Sequence, residues 1–371
     1  MMLRTKLYRI LTINPGSTST KIGLFHNTDP ERLLTTEHSP EDLASFQSIW
    51  DQFEFRLQTV NEFLLQHPAP DVQIDAVVGR GGLLRPVPGG VYAIDEQMLE
   101  DARQGYQGDH PANLGCALAH TIAQNYQAAA YVVDPVSTDE MSDLARVSGN
   151  PNIQRQSLSH ALNVHYVARR TADQLGISLA ASRFVVAHLG GGISIAAVSE
   201  GRIIDVNDAN NEGPFSVSRS GSLPTYSLAK WILESGFHLE QVKRELHKNS
   251  GLQGYLQTRE GREIERRIRA GDDQAIFIIG AMAYQIGKEI AAMSSVLKGH
   301  VDRIILTGGL AHFQFLVTLI AEQTEWIAPL EVMAGEYELQ AMAERALLVL
   351  RGEEALSTYH TNGDDGDSEF C

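Results

Sequence analysis

Ile10-Leu11-Thr12-Ile13-Asn14-Pro15-Gly16-Ser17-Thr18-Ser19-Thr20-Lys21-Ile22-Gly23-Leu24-Phe25 is an apolar run, a hydroxyl-rich turn with one lysine, and a second run in which Ile22 and Leu24 alternate. That composition suits an oxyanion. Gly16 lets the backbone approach closely, the amides and hydroxyls from Ser17 to Thr20 can donate, and Lys21 adds a point charge. The stretch is not a P-loop, because the second glycine is missing and a strand pattern follows Lys21 where a P-loop needs a helix. It reads as strand, phosphate-gripping turn, strand. The same residues can also make an ordinary surface turn.

A second copy bears on that choice. Arg183-Phe184-Val185-Val186-Ala187-His188-Leu189-Gly190-Gly191-Gly192-Ile193-Ser194-Ile195-Ala196-Ala197-Val198 repeats the plan of apolar run, glycine turn and apolar run. Duplication fixes architecture before any detail does. Two such hairpins, each opening one half of the chain, predict two similar domains facing each other across a nucleotide cleft. This layout resembles that of the sugar kinase, actin and heat-shock chaperone superfamily, a duplicated α/β, ribonuclease H-like fold. The two segments also resemble the acetate and butyrate kinase (acetokinase) family, in which Asn-x-Gly-Ser-x-Ser-x-Lys and His-Leu-Gly-x-Gly are signatures.

The chain has 371 residues, enough for two domains that each bury a core. A net charge of -16 argues against nucleic acid as the main partner. Part of that charge lies late: Glu353, Glu354, Asp364, Asp365, Asp367 and Glu369 follow Arg351 with no lysine or arginine among them. Residues 361–371 read as a disordered acidic tail. The only cysteines are Cys116 and Cys371, which gives no disulfide framework or metal cluster and fits a reducing cytoplasm. Met1 to Arg9 carries no apolar stretch of signal-peptide length. Ala275 to Leu297 is apolar but broken by Gln285, Lys288 and Glu289, so it reads as a buried helix rather than a membrane span.

Along the chain, Pro40 to His67 reads helical, with Phe46, Ile49, Trp50, Phe53, Leu57, Val60 and Leu64 at helical spacing. A strand over 74–78 runs into Gly79-Arg80-Gly81-Gly82 and a proline-rich loop, so Arg80 falls at a strand end, where open α/β sheets place ligands. A helix ends near Tyr126. The strand Tyr131-Val132-Val133 delivers Asp134, which is either a metal or catalytic carboxylate or a turn-former. Gln156 to Gly176 reads as a helix carrying His160 and His165. Gly201 to Asp205 is a turn and strand, followed by a long polar loop over 207–223 that contains Arg219; ordered loops of that length are usually functional. The last strand is expected over 302–306, and a terminal helix over 337–350 is expected to return to the first domain. Domain limits are expected at 1–154 plus 335–352, and 155–334.

The family resemblance, which spans about Leu11 to Leu350, implies roles that composition alone does not. Arg80 would hold a substrate carboxylate, Arg219 and His160 the transferring phosphoryl group, and Asp134 the Mg²⁺ or the acceptor, with Asn14 beside the metal. Asn14, Ser17, Ser19 and Lys21 would grip phosphates, as would His188, Gly190, Gly191 and Gly192. Glu260, Gly261 and Arg262 resemble a nucleotide loop in which Glu replaces Asp and Gly replaces Phe. Gly308, Gly309, Leu310 and Ala311 resemble the adenine-side turn. His312 stands where acetate kinases carry a metal-associated Glu. His110 and Asn113 resemble a His and Asn of the family at a spacing one residue shorter.

The implied reaction is phosphoryl transfer between ATP and a short-chain carboxylate, with ATP/ADP and Mg²⁺ as cofactors and no nucleic acid or membrane as partner. The expected assembly is a cytoplasmic homo-oligomer. The loop over 79–87, the triple glycine and Glu212-Gly213-Pro214-Phe215 look like butyrate kinases; isobutyrate and acetate are the alternatives. A sugar kinase or a non-enzymatic nucleotide switch of the same fold remain as rivals.

Overall fold

The computed structural model describes residues 6–66 and 73–359. The chain divides into two compact units, Met1–Thr138 with Tyr337–Cys371, and Asp139–Glu336. The division falls at 138/139 instead of 154/155, because the intervening residues bond into the second unit. Arg146 binds Asp139 at 2.9 Å, Ser142 N–H donates to the Ile204 carbonyl at 3.0 Å, and Arg155 ties the Ala145 carbonyl to Asp205. The expected tail at 361–371 lies outside the described residues.

In the first unit six strands form one sheet: β1 (Arg9–Pro15), β2 (Ser19–His26), β3 (Asp29–Glu37), β4 (Ala76–Arg80), β5 (Val91–Ala93) and β6 (Ala129–Val133). Their order is β3-β2-β1-β4-β6-β5. β1 pairs antiparallel with β2 and parallel with β4, and β4 pairs parallel with β6. Leu11, Ile13, Ile22 and Leu24 pack with Phe63, Leu118 and Ile122 from the helices Phe53–Leu65 and Leu114–Tyr126. Each fully buried side chain of this size contributes about 1.5–3 kcal/mol.

The second unit repeats the plan with β7 (Arg183–Leu189), β8 (Ile193–Ser199), β9 (Arg202–Val206), β10 (Arg303–Gly308) and β11 (Leu330–Ala334), in the order β11-β10-β7-β8-β9. The β7–β8 pair is antiparallel, whereas β7–β10 and β10–β11 are parallel. The duplication read from two glycine turns is thus a duplication of sheet topology. The third helix of each repeat is exchanged. Ala161–Leu175 follows β6 in the chain but packs on β7 and β10, and Glu338–Leu350 follows β11 but packs on β1 and β4.

Three local expectations are corrected. The helical stretch expected over 40–67 is, within the described residues, broken into Pro40–Ala44, a 3-10 turn at Trp50–Gln52, and Phe53–Leu65. Ser45 and Ser48 bond locally with Asp42 and Asp51, which competes with helical bonding between the two pieces. The helix over 156–176 begins only at Ala161, so His160 sits at its threshold and not within it. β11 follows the strand expected to be last; it is a short edge strand without a fully buried residue, so it lacks an apolar alternation to read. The helix Asp273–Val296 is long and apolar enough to cross a membrane by length and composition. Here it is a core helix, with Ile279, Met282, Ile286 and Ile290 buried against the second sheet.

Candidate functional site

Parallel strands end on one edge of a sheet, and that edge gathers the chemistry in each unit. In the first unit β1 ends in the Asn14–Lys21 turn, β4 ends on Arg80, and β6 delivers Asp134. In the second, β7 ends in the glycine turn and β10 ends on Gly308.

The first turn is pinned from inside. Asn14 and Lys21 face each other across the hairpin, as do Pro15 and Thr20. The carbonyls of Gly16 and Ser19 accept from Arg56, the Ser19 carbonyl also accepts from Gly16 N–H, and the Thr18 carbonyl accepts from His38 N–H. With its carbonyls drawn inward, the turn leaves Ser17 and Thr18 exposed, with no hydrogen bond from their amides or hydroxyls among the described residues. That is a donor surface for an anion.

Arg80 is held where β4 meets the helix Leu114–Tyr126. A Cβ on Gly79 would come within 2.0 Å of the Gly115 carbonyl, and one on Gly115 within 2.1 Å of the Arg80 carbonyl, so both positions must be glycine. The Arg80 side chain is 6% exposed and its Nη1 donates to the Asp134 carbonyl at 2.9 Å. Burial lowers its pKa, and Glu338 and Asp134 act against that shift. No carboxylate reaches Arg80 at ion-pair distance among the described residues.

Asp134 is 1% exposed and adopts a left-handed φ of 37°. Its Oδ1 accepts from Gly90 N–H at 2.7 Å, and its Oδ2 from Arg345 Nη1 at 3.3 Å. Arg345 lies on the returned helix and also binds Glu354. Both carboxylate oxygens are therefore engaged. Among the described residues no three His, Cys, Asp or Glu side chains come together to hold a metal ion. These residues do not make a protein cage for Mg²⁺, an ion that keeps its waters and is carried largely by substrate phosphates. His110 and Asn113 serve the loop itself: His110 caps a short turn, and Asn113 Oδ1 accepts from Leu83 N–H at 2.8 Å.

In the second unit Arg219 lies on the glycine turn. A Cβ on Gly192 would stand 2.2 Å from Arg219 Nη1. The guanidinium donates to the Ala209 carbonyl at 2.9 Å, and Ser216 Oγ donates to the Gly191 carbonyl at 2.6 Å. Burial lowers the Arg219 pKa and raises that of Asp208, its electrostatic neighbour. Asn207 latches the loop to β8, accepting from Ile195 N–H at 2.7 Å and donating to the Ile193 carbonyl at 2.8 Å.

His160 stacks on His188 with ring centroids 3.9 Å apart. Ser194 Oγ lies 2.9 Å from His160 Nδ1. Asn163 Nδ2 contacts His188 Nδ1 and Thr307 Oγ1, both at 3.0 Å, and His188 Nε2 lies on the side of Gly190. His165 Nε2 lies 3.1 Å from Glu140 Oε2. Gly308 is buried against Leu189, while Gly309, Leu310 and Ala311 form the 3-10 turn that follows. Exposed Glu260, Gly261 and Arg262 open the helix Gly261–Arg269, and no hydrogen bond or ion pair joins them to the glycine turn.

The sequence reading passed over Arg56, Asn207 and Asp208. Arg56 had a signal, since it interrupts the apolar face of Phe53, Leu57 and Val60 at a core position. Volume is a poor guide to this chemistry. A groove of about 670 Å³ in the first unit, between Trp50, Glu54, Glu100 and Arg103, contains none of the candidate site residues.

A model of the Acetokinase family matches residues 150–333. A probable butyrate kinase of Enterococcus faecalis is 47% identical over 351 residues, covering 94% of this chain and 97% of that protein. The chain belongs to the acetokinase family. It is a kinase of carboxylates, a phosphotransferase. Two solved structures show the fold: an acetate kinase of Porphyromonas gingivalis (TM-score 0.72, 19% identity, 92% of this chain and 100% of that one) and a propionate kinase of Francisella tularensis (TM-score 0.70, 20% identity, 91% and 98%). The fold is the family's duplicated two-unit α/β architecture.

Proposed function

We propose that this acetokinase family member is a butyrate kinase, transferring the γ-phosphoryl group of ATP to butyrate and, in reverse, from butanoyl phosphate to ADP. The supporting observation is the state of two arginines. Several partly or fully buried arginines are ion-paired: Arg85 with Asp101, Arg146 with Asp139, Arg155 with Asp205 and Glu212, and Arg345 with Asp134 and Glu354. The guanidinium groups of Arg80 and Arg219 hydrogen-bond only to backbone carbonyls among the described residues; Asp134 and Glu338 act on Arg80, and Asp208 on Arg219, from beyond ion-pair distance. A buried guanidinium with no carboxylate at ion-pair distance is available to an external anion, and this reaction brings together two anions.

The chemistry needs little else. Butyric acid is ionised at neutral pH, so no proton has to be removed. One carboxylate oxygen forms a bond to the γ-phosphorus while the bond from that phosphorus to the bridging oxygen breaks and ADP leaves with the electron pair. The difficulty is repulsion between the reactants, which cations and positioning overcome. Arg80 takes the carboxylate. Arg219 and His160 take the equatorial oxygens. Asn14, Ser17, Ser19 and Lys21 hold phosphates, as do His188 and Gly190 to Gly192, with Gly308 to Ala311 and Glu260 to Arg262 toward the nucleoside. Asn14 would help hold a Mg²⁺ that the nucleotide phosphates carry, an ion that would neutralise charge on the phosphates, and Asp134 orders the Arg80 loop. Butyrate is preferred over acetate because the named relative and the loop over 79–87 both point that way.

The enzyme is read as a cytoplasmic homo-oligomer without nucleic-acid or membrane partners. Self-association is supported by exposed apolar side chains of the second unit, where Leu223, Tyr255 and Phe277 line a groove of about 460 Å³. Phe277→Asp should then lower the sedimenting mass.

Hydroxylamine trapping with MgATP and a panel of acetate, propionate, butyrate, isobutyrate and glucose tests the activity. Butyrate should give the most hydroxamate; phosphorylation of glucose alone, or of no acceptor, would sink the reading.

A further inference from the structure

Arg56 is the largest side chain buried to 0% exposure, and it lies beneath the Gly16–Ser19 turn. A guanidinium has five N–H donors, and all five are accounted for. Nε and one Nη2 hydrogen go to Gln52 Oε1, at 3.1 and 2.9 Å. The Nη1 pair goes to the Ser19 carbonyl and Thr20 Oγ1, both at 3.0 Å, and the remaining Nη2 hydrogen to the Gly16 carbonyl at 2.9 Å. Every acceptor is neutral. No carboxylate pairs with Arg56 among the described residues. Burial correspondingly lowers its pKa to about 10, so it stays charged at neutral pH.

A fully buried arginine with ideal hydrogen bonding and no counter-charge is costly for a free protein. Its position gives the reason to keep it. The two carbonyls it binds belong to the turn whose outward amides and hydroxyls await an anion. Drawing the carbonyls inward removes the negative ends of the peptide dipoles from the ligand side. The unscreened charge then adds a positive field directed through the turn.

We infer that Arg56 is a positioning residue for the nucleotide, a buried cation whose counter-ion is the phosphate of the ligand and not a group of the protein. The inference rests on the Asn14–Lys21 turn being the phosphate site. It assigns to Arg56 both the shape of the turn and part of its affinity, without contact with the substrate.

The two contributions separate in two variants. Gln52→Glu is nearly isosteric and supplies the missing carboxylate while keeping the bonds from Nε and Nη2. It should raise or preserve the melting temperature of the free protein, yet weaken MgADP binding about fivefold or more by calorimetry and raise KM for ATP in step. Arg56→Lys keeps the charge but cannot make five bonds. It should raise KM for ATP about tenfold, with kcat less affected and KM for butyrate within twofold. A merely structural role would lower the folded fraction, and so the apparent kcat, while leaving both KM values alone. If Gln52→Glu and Arg56→Lys bind MgADP as wild type does, the inference is overturned. If wild type itself fails to bind MgADP, the phosphate-turn reading beneath it falls instead.

Discussion

Gly192→Ala tests whether the glycine turn and Arg219 work as one device. The added Cβ would stand 2.2 Å from Arg219 Nη1, whereas ordinary contact begins near 3.4 Å, so the guanidinium must retreat by about 1.2 Å. It cannot do so freely, since Nη1 is bound to the Ala209 carbonyl at 2.9 Å and the Arg219 amide to Ser216 Oγ at 3.3 Å. A misplacement of about 1 Å at a reacting group costs on the order of 10²-fold in rate, or about 2.7 kcal/mol. We expect kcat for hydroxamate formation from butyrate and MgATP to fall by about 10²-fold, with a smaller change in KM for ATP. The comparison is Gly280→Ala, on the helix Asp273–Val296, where a Cβ meets nothing within 4 Å. That variant should keep full activity and gain up to about 1 kcal/mol of stability from helix propensity. A Gly192→Ala enzyme within threefold of wild-type kcat would refute the reasoning, because Arg219 would then tolerate displacement and could not hold the transferring group.

Removing the guanidinium altogether, in Arg219→Ala, should cost roughly 10³-fold in kcat, with only partial rescue by lysine, since an ammonium lacks the planar fork; an alanine variant close to wild type would exclude the residue from the mechanism. His38 is buried beside Arg56, and both burial and that charge lower its pKa. Its contribution to stability is therefore full above the ordinary histidine value of about 6.5 and is lost as pH falls below it. The melting temperature of wild type should drop more than that of His38→Gln between pH 7.5 and 5, and parallel curves would contradict this. Cys116 is fully buried, and desolvation raises its thiol pKa to about 12. At pH 8 it should resist iodoacetamide in the native protein and react in urea, as read by peptide mapping; native labelling at Cys116 would show that this core opens.

The sequence by itself determined the repeated unit and the positions of its turns. A period-two apolar run that ends in glycine and hydroxyl residues reads as a strand entering a tight turn, and Asn14 to Lys21 and Gly190 to Gly192 are both of that form. Arg80 and Asp134 were legible for the same local reason, as polar residues at the end of, or directly after, short buried strands. Tertiary structure decided the rest, because burial and pairing are not local. The sequence shows that Asp134 is acidic, but only the returned helix shows that Arg345 already occupies it. It shows Arg219 in a polar loop, but not that the guanidinium rests where Gly192 lacks a side chain. Arg56 looked like one charge on an amphipathic helix. Whether such a charge is solvated, paired or stranded depends on what the fold brings within hydrogen-bonding distance of it, and here the fold brings five neutral contacts and no carboxylate.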